Sequence, residues 1–275
     1  MKAVKWQDLF DEHDKHSITG DVRIVKDMKV PQLETTKSIW IYLPPGYENS
    51  DRRYPVLYMH DAQNVFDQAT STGEEWGVDE SLETLSGQHE SYEAIVVAID
   101  HGEDERSNEY NVYTNAKHHF GGKGEQYIAF LTNTLKPWID SEFRTLTGPE
   151  HTMIGGSSFG AYISLYAGVT YPEVFGKVMA FSLMVWQDHD SLRKLIQNGH
   201  HFPLHKVIIN IGDTEDKSRR GSKLLLKDAQ KIADAFAESG FPEERLRFDI
   251  VKDGRHHEST WRKEFPDAFK WLITP

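Results

Sequence analysis

Short apolar runs recur along the chain, separated by segments whose apolar residues return every three or four positions. The runs Ile39–Leu43, Val56–Met59, Ala94–Ile99, His151–Gly155, Val178–Phe181, Val207–Ile211 and Phe248–Val251 read as strands. Most are continuously apolar and rich in Val and Ile, as strands covered on both faces must be. Helix candidates fall at 78–85, 123–139, 159–170, 222–239 and 261–273. In 222–239, Leu225, Ala229, Ile232 and Phe236 make one apolar stripe. In 261–273, Pro266 predicts a turn followed by a helix. Alternation of strand and helix predicts an α/β fold, a mainly parallel doubly wound sheet with helices on both faces. No repeat or linker divides residues 1–275, so a single domain is expected. Two stretches, 101–122 and 183–205, carry little pattern and read as functional loops, too short and polar for a large lid.

Composition then removes whole classes of chemistry. Against 43 Asp and Glu stand 31 Lys and Arg, a net charge of −12, which disfavours nucleic acid and anionic membrane surfaces as partners. There is no cysteine, so a thiolate nucleophile, a thiolate metal site and a disulfide scaffold are excluded. The opening Met1-Lys-Ala-Val-Lys-Trp6 lacks an apolar run, and no stretch approaches the ~20 apolar residues of a spanning helix. A soluble, cytoplasmic protein with no membrane partner is expected.

The chemistry concentrates at Gly156-Ser157-Ser158-Phe159-Gly160, a G-x-S-x-G pentapeptide centred on Ser158. Alone the motif is weakly specific. Here a predicted strand precedes it and a predicted helix follows, the arrangement that makes it a nucleophile elbow. A sharp turn presents the serine, and the next helix aims its first N–H groups at developing negative charge, so Phe159 is an oxyanion donor candidate. Ser157 is the neighbouring competitor. A nucleotide-binding turn is disfavoured because the glycines do not form G-x-G-x-x-G.

A serine nucleophile needs a base, and the base needs an orienting acid. Downstream, strand 207–211 runs into Gly212-Asp213-Thr214-Glu215-Asp216, and strand 248–251 runs towards Arg255-His256-His257-Glu258. That is the Ser, acid, His order of α/β-hydrolases, with acid and histidine at carboxyl ends of strands. Metal binding at His256, His257 and Glu258 is disfavoured because adjacent histidines do not converge and no H-E-x-x-H occurs. The pairs His118-His119 and His200-His201 read as loop polarity. No metal or other cofactor is expected.

Tyr58-Met-His-Asp-Ala-Gln-Asn-Val-Phe-Asp67, Glu75-Trp-Gly-Val-Asp79, Met153–Ala161, Tyr171-Pro-Glu-Val-Phe-Gly176 and His256-His-Glu-Ser-Thr-Trp261 together resemble an esterase family of α/β-hydrolases. That family includes feruloyl and acetyl-xylan esterases, enterochelin esterases, S-formylglutathione hydrolases and mycolyl transferases. The resemblance places the catalytic histidine on His256 and the acid on Glu215, with Asp213 and Asp216 as backups. It assigns the second oxyanion donor to the backbone of Gln63, in the loop His60-Asp61-Ala62-Gln63. The family often has Ser-Pro-Ser after its sixth strand, whereas this chain reads Phe181-Ser-Leu-Met-Val-Trp186.

The expectation is a serine carboxylic-ester hydrolase with a Ser158-His256-Glu215 triad, acting on a small-molecule ester. Trp76 and Trp186, with Tyr110 and Tyr113, are candidate pocket aromatics, since aromatic faces suit sugar rings or aryl acids. Polar side chains at Arg106, Lys117, His118, His119 and Lys123 favour short acyl groups on a polar alcohol such as a carbohydrate. An acyltransferase and a non-catalytic binding module on the same fold are the alternatives.

Overall fold

The computed structural model describes residues 2–10, 15–199 and 203–274. These form two compact units, one of residues 1–105, 126–147 and 257–275, the other of 106–125 and 148–256. Neither unit is a continuous stretch of chain.

In the first unit, strands β1 (Val4–Lys5), β2 (Asp21–Val30), β3 (Thr35–Leu43), β4 (Val56–His60) and β5 (Ile95–Ile99) lie in the order β1-β2-β3-β5-β4. Pairing is parallel between β4 and β5 and antiparallel elsewhere. Every residue of β5, Ile-Val-Val-Ala-Ile, is buried, which explains its unbroken apolar sequence. Helix α1 (Val78–Ser86) buries Val78, Leu82 and Leu85. It packs on α8 (Glu258–Ile273), whose buried stripe is Trp261, Phe265, Ala268, Phe269 and Leu272. Pro266 lies inside α8, which runs unbroken through it. This corrects the predicted turn: five buried side chains outweigh one missing hydrogen bond.

In the second unit, β6 (Thr152–Ser157), β7 (Lys177–Phe181), β8 (Lys206–Gly212) and β9 (Leu246–Val251) are parallel and adjacent in chain order. Their carboxyl ends therefore share one edge. Helix α5 (Phe159–Thr170) is buried all round from Gly160 to Val169 and packs on β6 and β7. Helix α7 (Arg219–Glu238) begins at Ser218, whose hydroxyl accepts from the Gly221 N–H at 3.0 Å, and lies on β8 and β9.

The remaining helices are α2 (Arg106–Glu109), α3 (Gly124–Phe130), α4 (Lys136–Glu142) and α6 (His189–Asn198). A π-helical turn, Leu131–Leu135, joins α3 to α4, so the helix predicted at 123–139 is one element with a local widening. Two predicted loops are shorter than expected, since α2 and α6 occupy parts of them. Among the described residues, no helix is long and apolar enough to cross a membrane.

Candidate active site

At the end of β6 the chain turns sharply into α5. Ser158 sits at the turn with φ 60° and ψ −124°, a conformation costly for a residue with a Cβ. The neighbouring segment holds it there: the Ser158 N–H donates to the Phe181 carbonyl at 3.0 Å, and the Met184 N–H donates to the Ser158 carbonyl at 3.4 Å. The first helical bond of α5 runs from Tyr162 N–H to the Ser158 carbonyl. Phe159, Gly160 and Ala161 thus have N–H groups in the first turn, ahead of any intrahelical acceptor. Ser157 is buried at the end of the strand, while Ser158 is half-exposed.

The loop after β8 carries three acids with different surroundings. The Glu215 side chain is 1% exposed; its Oε1 accepts from the Gly212 N–H and the Ser182 hydroxyl, both at 2.7 Å. Its Oε2 lies 2.7 Å from His256 Nδ1, in the loop after β9. Asp213 is exposed and accepts from the Asp253 N–H at 2.8 Å. Asp216 is exposed too, and the backbone and hydroxyl of Ser218 hold its carboxyl below the usual carboxylate range. Only Glu215 of the three meets the histidine. His257 caps α8 instead, accepting from the Ser259 N–H.

The two loops are stitched to each other. Thr214 donates to the Gly254 carbonyl through its N–H at 2.9 Å and its hydroxyl at 2.6 Å. The Asp213 N–H donates to the Val251 carbonyl at 3.0 Å. A Cβ on Gly212 would collide with the Gly254 carbonyl, and one on Gly254 with the Gly212 backbone. Glycine at both positions lets acid and histidine loops meet backbone to backbone.

Beside the elbow stands an aromatic wall. Phe120 lies 5.6 Å from Phe159 and 6.0 Å from Trp186, and Trp186 lies 6.3 Å from Phe159, centroid to centroid. His118 meets Trp186 edge-on at 5.2 Å. Trp186 is 36% exposed, so one apolar face meets solvent. Phe120 reaches this place on a hairpin closed by the Asn115–Phe120 bridge and by the Gly122 N–H on the Asn111 carbonyl. Gln187 donates to Asn111 Oδ1 at 2.7 Å, Tyr162 to Asp188 at 2.6 Å and Tyr166 to Glu125 at 2.6 Å. Burial, then the Asp188 carboxylate, pushes the Tyr162 phenol far up, so it stays protonated and donates to that carboxylate.

The remaining predicted residues have the following surroundings. Trp76 is 3% exposed and packs on Trp261 and Phe265 in the first unit, and Tyr110 is fully buried; these are interior side chains. Tyr113 is exposed beside Tyr166. Gln63 lies in the turn Ala62–Asn64 after β4, where its Oε1 accepts from the His101 N–H at 3.1 Å. Sequence reasoning missed Ser182, Phe120 and the Asn111–Gln187 bond. A bulky aromatic next to paired glycines, Phe120-Gly121-Gly122, was the available signal for Phe120. Among the described residues no three His, Asp or Glu are grouped to hold a metal ion; His200 and His201 lie outside those residues.

A serine elbow, with acid and histidine after later parallel strands, defines the α/β-hydrolase class. Residues 31–272 match the family model described as "Putative esterase", and the chain belongs to that family, which makes it a carboxylic-ester hydrolase. It is 27% identical over 239 residues to the protein YbbA of Bacillus subtilis (strain 168), covering 84% of this chain and 90% of the relative. The BES protein from Bacillus cereus shares the fold with a TM-score of 0.74 at 17% identity, over 97% of this chain and 99% of that one. The enterobactin esterase FES from Shigella flexneri aligns with a TM-score of 0.71 at 17% identity, over 94% and 60%.

Proposed function

We propose that residues 1–275 act as one esterase domain that hydrolyses esters through Ser158, His256 and Glu215. His256 Nε2 takes the hydroxyl proton as Ser158 Oγ attacks the ester carbonyl carbon. The resulting oxyanion is held by the Phe159 N–H and, following the sequence resemblance, by the Gln63 N–H. Collapse expels the alcohol, which receives the proton from His256 and leaves an acyl-serine. Water then attacks with His256 as base, releasing the acid and restoring the serine. The observation that carries this reading is the 2.7 Å contact of His256 Nδ1 with a carboxylate that solvent scarcely reaches. Such a contact fixes the tautomer and leaves Nε2 for the serine.

For substrate we propose a short acyl group on a polar alcohol such as a sugar. The hairpin tip carries Lys117, His118 and His119, all exposed, while the partly exposed Trp186 ring, braced edge-on by Phe120, offers an apolar surface on which a sugar ring can stack. A long acyl chain would dehydrate that polar tip without pairing it. A panel of p-nitrophenyl esters and acetylated sugars, run on wild type and Ser158→Ala, tests both parts. The expected optimum is acetyl to butyryl, with no turnover by the variant. An optimum at eight or more carbons overturns the substrate class, and full activity of Ser158→Ala overturns the triad.

A further inference from the structure

We propose that Ser182 is a positioning residue for ester hydrolysis, and that residues 181–184 hold the nucleophile and the triad acid in register. The proposal rests on the triad assigned above. Ser182 is the first residue after β7, is 2% exposed, and has φ +47°. A non-glycine residue pays for that conformation, and two hydrogen bonds depend on it. The Ser182 N–H donates to the Asn210 carbonyl on β8 at 2.7 Å, which turns the hydroxyl across the sheet edge. The hydroxyl then donates to Glu215 Oε1 at 2.7 Å.

A carboxylate held at one point can rotate about its own bonds. Glu215 is held at two on the same oxygen, by Ser182 and by the Gly212 N–H, so Oε2 has one direction left, towards His256. The residues flanking Ser182 meet the elbow. Phe181 accepts from the Ser158 N–H, and Met184 donates to the Ser158 carbonyl. One four-residue segment therefore touches the serine main chain on one side and the acid side chain on the other. It carries no group that reacts, so its effect on the reaction passes through Glu215 and the elbow.

The test compares Ser182→Ala and Ser182→Gly with wild type on p-nitrophenyl acetate, alone and in the Glu215→Gln background. Both variants delete the hydroxyl, but glycine also removes the cost of positive φ, so Ser182→Gly folds even where Ser182→Ala is destabilised. Both are expected to lose about ten- to a hundredfold in kcat, the range for a buried hydrogen bond to a charged group, with KM within about twofold. In the Glu215→Gln background the further loss is expected to be under about threefold, because the two residues act as one unit. Wild-type kcat in Ser182→Gly overturns the proposal, as does a full, additive loss on Glu215→Gln. Activity retained by Ser158→Ala, run in parallel, would instead remove the triad beneath it.

Discussion

Asp213, Glu215 and Asp216 stand within four residues and carry the same charge, yet their surroundings separate them. Asp213 and Asp216 face water and satisfy backbone N–H groups of nearby turns, whereas Glu215 is buried on three donors. Glu215→Gln is accordingly expected to lower kcat by roughly 10⁴, since an amide favours the wrong imidazole tautomer. Asp213→Asn keeps an acceptor for the Asp253 N–H and should stay close to wild type. Steady-state kinetics on a short ester decide between them, and damage confined to Asp213→Asn would reassign the acid. Ser158→Ala and His256→Ala should each remove at least about 10⁴ of the rate. Circular dichroism should show both still folded. At this scale the sequence displayed the serine plainly, through a pentapeptide between strand and helix. It displayed the acid only as a cluster, because burial is decided by distant segments. Ser182 was invisible: its role depends on a positive φ and on the neighbouring strand, neither of which leaves a local pattern.

Elements were legible where their residues are buried on every side. The residues 56–59 are apolar throughout and 159–170 almost so, and the structure places β4 and α5 there almost to the residue. Strand β2 escaped notice because a bulge between Val25 and Met28, with Asp27 at φ 55°, breaks its alternation and brings charges into the run. Helix α6 escaped because, among its described side chains, only Leu192 and Ile196 are fully buried. Helix α8 shows the opposite error, in which a local rule was given too much weight. Pro266 leaves the Arg262 carbonyl without its helical donor, so Pro266→Ala should stabilise the protein by about 1–3 kcal/mol. Denaturant unfolding measures this directly, and an unchanged or lower midpoint would show that the proline ring fits a bend the helix needs. The aromatic wall belongs to two elements, the 111–122 hairpin and the segment after β7. Trp186→Ala should therefore raise KM for the preferred ester several-fold while leaving kcat nearly unchanged, because in the proposed site the ring meets substrate away from the reacting carbonyl.

For the molecule as a whole, the buried acids of the first unit set how stability responds to pH. Burial pushes the Glu75 carboxyl up to about 7. Burial and the adjoining Glu80 carboxyl push Asp79 up to about 9. Both values lie above those of an unfolded chain, so the stabilisation is complete below the ordinary carboxylate range. It is lost as pH rises through about 7 for Glu75 and about 9 for Asp79. Glu75→Gln removes the first of these titrations, so its melting temperature should gain on wild type more at pH 8 than at pH 5. Equal shifts at the two pH values would show that Glu75 does not titrate in that window. In the second unit the glycine crossing at Gly212 and Gly254 bears on a different kind of failure. Many enzymes lose their catalytic alignment while still folded, because the loops bearing it soften first. Here the proposed acid and base ride on loops joined main chain to main chain, with the Thr214 hydroxyl and the Asp213 carboxylate adding further bonds between them. Gentle warming should find nothing to disarm piecemeal, and the temperature at which turnover disappears should coincide with the one at which the second unit itself melts.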